Sequence, residues 1–206
     1  LLQKSSGALP LKQAVDMTTG ILKGLEFLHS RQIIHRDIKP ANILLQGDTP
    51  RLADFGISRV LKNTSMATQA IGTPHYMAPE AFQRKRSAQT DVWSVGVMLY
   101  QMLKGDLPFA GHNITDLFGA IMLTEPAPLP DAVPVELQKV VWKALAKDAA
   151  ERYQTAREMR DELEARWQRI PHPVVTPTLP VIAPPPPIIA PTPEPPKPEP
   201  RPEPKP

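Results

Sequence analysis

His35-Arg36-Asp37-Ile38-Lys39-Pro40-Ala41-Asn42 sets a carboxylate, a lysine and a carboxamide within six positions of one another, and this stretch decides how the rest of the chain is read. Two others belong with it: Asp54-Phe55-Gly56, and Gly72-Thr73-Pro74-His75-Tyr76-Met77-Ala78-Pro79-Glu80. Taken singly they are bland. A lone Asp37 or Asp54 is most often a solvated turn carboxylate, and a lone Lys39 a surface lysine. Their order along the chain, and the elements between them, carry the information.

Upstream, Leu11, Val15, Thr18, Ile21, Leu22, Leu25 and Leu28 recur at three- and four-residue spacing, which predicts an amphipathic helix from Leu11 to about Ser30. Short apolar segments follow: Ile33-Ile34, then Ile43-Leu44-Leu45 and Arg51-Leu52-Ala53. The last two read as a small hairpin turned by Gly47-Asp48-Thr49-Pro50. Residues 56 to 77 are rich in Ser, Thr, Gly and Met without a sustained period, as in a functional or disordered loop. From Ala88 to Leu103 the pattern is apolar nearly all round, which predicts a helix buried at the centre of a domain and ended by Gly105. Trp93, Trp142 and the methionines read as core. Asn113 is placed to cap a helix through about Leu123, and Pro134 suits the first turn of another. Thr155 with Glu158 predicts a capping box opening a last helix, Ala156 to about Arg169. The expected body is mainly α with a small β-hairpin.

Composition narrows the classes. Of 27 prolines, 17 fall in residues 171–206, so an ordinary globular segment of about 170 residues precedes a low-complexity tail. No cysteine is present, which excludes disulfide scaffolds, cysteine-ligated zinc and thiol nucleophiles. No apolar stretch approaches the roughly 18 to 20 residues that span a bilayer, and Leu1-Leu2-Gln3-Lys4 lacks a signal-peptide layout, so a cytoplasmic location is expected. The net charge of +3 is too small to argue for nucleic acid or an anionic membrane. Gln83-Arg84-Lys85-Arg86, the densest basic run, reads as a solvated connection.

In order and spacing, the three stretches resemble the catalytic loop, the metal-binding triplet and the end of the activation segment of protein kinases. The resemblance covers residues 1–170 and implies the large, C-terminal lobe of the catalytic domain, with the small lobe absent and residues 171–206 forming a disordered proline-rich tail or linker. It implies transfer of the ATP γ-phosphate to protein Ser/Thr hydroxyls with Mg2+. Asp37 then accepts or orients the substrate hydroxyl proton, and Lys39 sits beside the γ-phosphate. Asn42 and Asp54 are hard oxygen donors of the kind magnesium prefers, and Leu44 floors the adenine site. His35 corresponds to a core residue packed on Phe55, Asp91 to a buried anchor of the catalytic-loop backbone, and Glu80 with Arg152 to a structural ion pair. Lys39 and Gly72-Thr73 match the serine/threonine branch, with Thr73 bonding near Asp37 and Lys39 and positioning the substrate. Arg36 beside the catalytic aspartate implies pairing with an activation-loop phosphate, for which Thr68, then Ser65 and Thr64, are the candidates.

No Gly-x-Gly-x-x-Gly spacing occurs among residues 1–206, and the strand lysine and helix glutamate of the kinase small lobe have no counterpart. This chain alone is therefore expected to transfer phosphate poorly or not at all, as a fragment would. The alternatives are a non-catalytic kinase-like scaffold and a proline-rich interaction protein; retained Asp37, Lys39, Asn42 and Asp54 argue against the scaffold. The tail should sample polyproline II and reach up to about 110 Å, as a spacer or as a ligand for a proline-recognising domain. Asp148-Ala149-Ala150-Glu151-Arg152-Tyr153 resembles bacterial membrane-tethered kinases more than animal ones; on that reading the chain is the cytoplasmic part, and a membrane span follows Pro206.

Overall fold

Six α-helices and one two-stranded sheet are built by residues 7–54 and 74–171, the residues this computed structural model describes. In chain order they are α1 (Leu11–His29), β1 (Ile43–Gln46), β2 (Thr49–Leu52), α2 (Pro79–Phe82), α3 (Ala88–Lys104), α4 (Ile114–Leu123), α5 (Val135–Ala144) and α6 (Ala156–Arg169). The chain divides into two units, Leu1–Pro171 and His172–Pro206, and the second lies outside the described residues, as do Phe55, Thr64, Ser65, Thr68 and Thr73. The body is thus mainly helical with a small antiparallel sheet.

The core is α3. Val92, Trp93, Val95, Val97, Met98, Leu99, Tyr100 and Met102 are wholly buried, so the helix has no solvent face and α1, α5 and α6 pack around it. Each such side chain contributes on the order of 1.5–3 kcal/mol by leaving water. Trp93 stacks on Phe109, with ring centroids 5.7 Å apart. Where α3 meets α5 the backbones come close, because a Cβ on Gly96 would lie 2.7 Å from that of Ala144. Gly105 ends α3 with a left-handed φ of 93°. Ser87 and Thr90 start it, the Ser87 N–H donating to Thr90 Oγ1 at 3.3 Å.

Three local readings are corrected. The hairpin turns through Gly47 and Asp48 alone, while Thr49 and Pro50 belong to β2, in register with Gln46 and Leu45; Ala53 lies just past the strand. Gly47, at φ 61°, supplies the left-handed residue that a two-residue hairpin turn needs. Proline is tolerated in β2 because both strands of a two-stranded sheet are edges, and its buried ring packs onto α1 instead. At α6 the capping box is shared between two residues: Thr155 Oγ1 accepts from Glu158 N at 3.0 Å, but Glu158 Oε2 reaches back to Gln154 N at 2.8 Å. Trp142 is half-buried rather than core, and Met77 and Met122 are likewise partly exposed. Asn113 caps α4 through Oδ1, which accepts from Thr115 N and Asp116 N at 2.9 Å. Among the described residues no helix is long and apolar enough to cross a membrane.

A two-stranded sheet is not stable by itself, so the hairpin depends on α1. The contact is intimate: a Cβ at Gly20 would sit 2.4 Å from Pro50 Cγ, and one at Gly24 2.9 Å from Leu52 Cδ1. Gly20→Ala is expected to destabilise the protein by about 1–3 kcal/mol through overpacking. Gly119→Ala in α4, where a new Cβ meets nothing within 4 Å, is expected to be neutral or stabilising by up to about 1 kcal/mol. Urea denaturation of the two variants checks this, and equal effects would contradict the packing described.

Candidate active site

The site begins where α1 stops. Gln32 takes a left-handed φ of 60°, and the N–H of Ile33 returns to Leu28 O at 3.0 Å, so the chain reverses sharply into residues 33–42. Arg36 is also left-handed, at φ 71°, a conformation that costs a non-glycine residue on the order of 1–3 kcal/mol unless its surroundings impose it. Asp91, in the first turn of α3, does so. Its Oδ2 accepts from His35 N at 2.8 Å and its Oδ1 from Arg36 N at 2.9 Å. His29 Nε2 lies 2.9 Å from the same Oδ2. The carboxylate is buried, and the helix N-terminus beneath it favours its negative charge.

Beyond that clamp, Ile38 is buried and Asp37 faces Lys39 and Asn42. Lys39 Nζ is 2.8 Å from Asp37 Oδ2. Asn42 Nδ2 donates to the Asp37 carbonyl at 2.7 Å and to its Oδ2 at 3.1 Å, within a short 3-10 turn, Pro40–Asn42, that Pro40 initiates. Asp37 Oδ1 is buried and makes no hydrogen bond among the described residues. A buried carboxylate oxygen without a donor is costly, and such atoms are a place to look for chemistry.

Asp54 is brought to this loop by Ala53. The Ala53 N–H donates to Asn42 O at 2.9 Å, and the His35 ring Nε2 lies 3.1 Å from Ala53 O, so both sides of that peptide are tied to the 35–42 loop. Asp54 itself is exposed, with a left-handed φ of 57°. Leu44, in β1, is 58% exposed, which leaves an apolar surface at the hairpin. Among the described residues no group of three or more His, Cys, Asp or Glu is arranged to hold a metal. Asn42 and Asp54 are oxygen-bearing side chains, and a magnesium ion commonly keeps most of its ligands as water and phosphate oxygens, so a site with few protein donors is within its habit.

Further out, Arg152 is buried and its guanidinium pairs bidentately with Glu80, at 2.7 and 2.9 Å. It also donates to Ala146 O at 2.6 Å and Lys147 O at 2.9 Å, so α2 is fastened to the α5–α6 connection. Breaking such a pair strands a buried charge. Arg36 is exposed, and its carbonyl receives a bond from Arg86 Nη1 at 3.2 Å. The basic run 83–86 is therefore not wholly solvated: Gln83, Arg84 and Lys85 are exposed, whereas Arg86 is half-buried and tied to the loop.

Sequence reasoning missed four residues here. His29 bonds Asp91 and Arg86 bonds Arg36. Tyr76 donates to Gln101 Oε1 at 2.8 Å, and Ser94 donates to Tyr76 O at 2.7 Å. Burial pushes the Tyr76 hydroxyl up to about 12, against the lowering by Gln101, so it stays protonated and donates. Nothing local in the sequence signals these pairs, since His29 and Asp91 are 62 positions apart. Thr73, Phe55 and the three candidate phosphosites Thr64, Ser65 and Thr68 cannot be placed in this geometry, as they fall outside the described residues.

A family model described as the protein kinase domain matches residues 1–164. Serine/threonine-protein kinase PknB of Mycobacterium leprae is 37% identical over 167 residues, which cover 77% of this chain and 27% of that protein. The probable serine/threonine-protein kinase SCO3848 of Streptomyces coelicolor is 39% identical over 175 residues, 80% of this chain and 26% of that protein. Serine/threonine-protein kinase Nek11 of Mus musculus is 37% identical over 137 residues, 66% of this chain and 22% of that protein. The chain spans about a quarter of the length of these curated relatives. A loop clamped by Asp91, a matched domain and relatives of this kind lead to one assignment: the chain belongs to the protein kinase family, in its eukaryotic-like serine/threonine branch of the bacterial type.

Proposed function

We propose that this chain is the C-terminal lobe of a serine/threonine protein kinase, with residues 171–206 as a proline-rich linker, and that Asp37 is its catalytic base. The observation that carries the reading is the asymmetry of the Asp37 carboxylate: Oδ2 holds Lys39 and Asn42, whereas Oδ1 is buried and has no donor among the described residues. An oxygen in that state is suited to take the proton of a substrate Ser or Thr hydroxyl. As the hydroxyl oxygen bonds to the γ-phosphorus of ATP, the bond from that phosphorus to the bridging oxygen breaks, and ADP carries the electron pair away. Lys39, a point charge fixed 2.8 Å from Asp37, offsets the charge gathering on the phosphoryl oxygens.

Asn42 and Asp54 are the residues to hold magnesium. Both Asn42 bonds use its Nδ2, so its Oδ1 makes no hydrogen bond among the described residues, and Asp54 is exposed at the end of a hairpin tied to Asn42. Magnesium supplies neutralisation of the phosphate charge there. Leu44 is the adenine floor, and its 58% exposure suits a surface that a nucleotide covers. Thr73 positions the substrate, and Arg36 pairs with a phosphorylated Thr68, Ser65 or Thr64.

Four measurements test this reading. In the full-length gene product, with labelled ATP, magnesium and a generic protein substrate, Asp37→Asn is expected to lower kcat roughly 10²- to 10⁴-fold with an unchanged melting temperature. Asp91→Asn, which weakens the clamp rather than the chemistry, is expected to lower kcat and also stability, by about 1–3 kcal/mol. Activity that survives Asp37→Asn overturns the assignment. Replacing Thr64, Ser65 and Thr68 together by alanine is expected to leave substrate phosphorylation low; wild-type rates would remove the phosphate-pairing role of Arg36. Finally, residues 1–206 alone are expected to transfer little or no phosphate, because the glycine-rich loop and strand lysine that grip ATP have no counterpart in them. Turnover by this chain matching the full-length product would refute that.

A further inference from the structure

On the side of the domain carrying α4 and α5 lies a cleft of about 740 Å³, within the usual size range of a ligand site. Its lining takes Pro126 and Pro128 from the loop after α4 and Trp142 from α5. The loop is pre-set. Tyr100 Oη donates to Ala127 O at 3.0 Å, and Lys104 Nζ donates to Pro128 O at 3.2 Å. Lys147 Nζ holds Ile121 O and Thr124 O at 2.8 and 2.7 Å. The prolines carry no N–H, so this loop presents rigid apolar rings and no backbone donors from those positions. Trp142 is half-buried, braced by Tyr100 at a centroid distance of 6.3 Å, and keeps part of its ring open to the cleft.

The charge of the cleft runs against that of the chain. Glu125, Asp148 and Glu151 are carboxylates on its lining, in a protein whose net charge is +3. Among the described residues the one cation of the lining is Lys147, whose ammonium is engaged by the two carbonyls and by the Phe109 ring, 4.1 Å away. Asp148 spends one oxygen on Ala150 N at 2.9 Å. A rigid slot of proline and tryptophan rimmed by carboxylates excludes anionic occupants and suits an extended segment that offers flat apolar rings and positive charge. Polyproline II peptides dock on aromatic grooves of this kind, at low cost in conformational entropy.

We propose that this cleft docks a short segment of a partner protein in which arginine or lysine alternates with proline, the prolines lying against Trp142, Pro126 and Pro128 and the basic groups meeting Glu125, Asp148 and Glu151. The proposal is independent of phosphate transfer, because none of these residues belongs to the catalytic loop.

Fluorescence anisotropy with the full 206-residue chain tests it, using labelled ten-residue peptides of alternating Pro-Arg, Pro-Glu and Gly-Arg. The Pro-Arg peptide is expected to bind at least about tenfold more tightly than either control. Glu125→Gln with Glu151→Gln is expected to weaken it about tenfold, and Trp142→Leu by at least as much, with unchanged circular dichroism. The two Gln substitutions are at exposed positions, so the fold survives them even if Trp142→Leu unfolds the chain. Equal binding of Pro-Arg and Gly-Arg, binding unaffected by the Gln pair, or no binding overturns the proposal. So does sedimentation showing that the chain self-associates through Trp142, which would assign the cleft to a second copy.

Discussion

Everything at the site depends on one buried carboxylate. Asp91 sits in the first turn of a helix that has no solvent face, and taking a charge out of water there is costly unless donors replace the lost hydration. Two of those donors are successive backbone N–H groups of the 35–42 loop, and a third group, the His29 ring, closes on the same oxygen. The charge therefore needs the loop as much as the loop needs the charge. Arg36 can be left-handed because leaving that conformation would break its N–H bond to Asp91 and expose a buried charge. Asp37, the next residue, inherits its direction from that strain. Tyr76 and Ser94 extend the same arrangement, since Ser94, one turn along α3, holds the carbonyl that precedes α2.

A second constraint brings the remaining carboxylate in. The hairpin is too small to stand alone, and it is seated on α1 by two glycines that let Pro50 and Leu52 approach the helix backbone. Ala53, at its end, is held on one side by Asn42 and on the other by His35. Two separate elements, a helix through Asp91 and a hairpin through Ala53, thus converge on the same eight residues, 35–42. Glu80 and Arg152 do comparable work farther out. A bidentate pair buried among carbonyls fixes α2 against the α5–α6 connection, whereas the exposed pairs that join α1, α5 and α6, such as Lys143 with Glu158, contribute little each.

Long, periodic elements were legible from the chain alone. The α1 stripe, the all-round apolar pattern of α3, the Asn113 cap and the Gly105 stop were read within a residue or so, because helix burial and capping leave local marks. The small corrections share a cause. Thr49 and Pro50 carry turn propensity but were claimed by β2, because packing on Gly20 outweighs it. Trp142 has the pattern of a core residue but stands at the edge of a cleft that only the placement of the 125–130 loop creates.

By itself the sequence determined the residue types and their order: an aspartate, a lysine and an asparagine in one short stretch, a second aspartate after a hairpin, and a buried helix to carry them. That much is covalent and local, so it survives in one dimension. The tertiary structure alone decided which groups meet. His29 finds Asp91 across 62 positions, His35 finds Ala53, Arg86 finds Arg36, and among the described residues Asp37 has one oxygen filled and the other without a donor. Hydrogen-bond partners separated by half a domain leave no periodic trace in either segment, and only the packing of α3 against its neighbours brings them within reach.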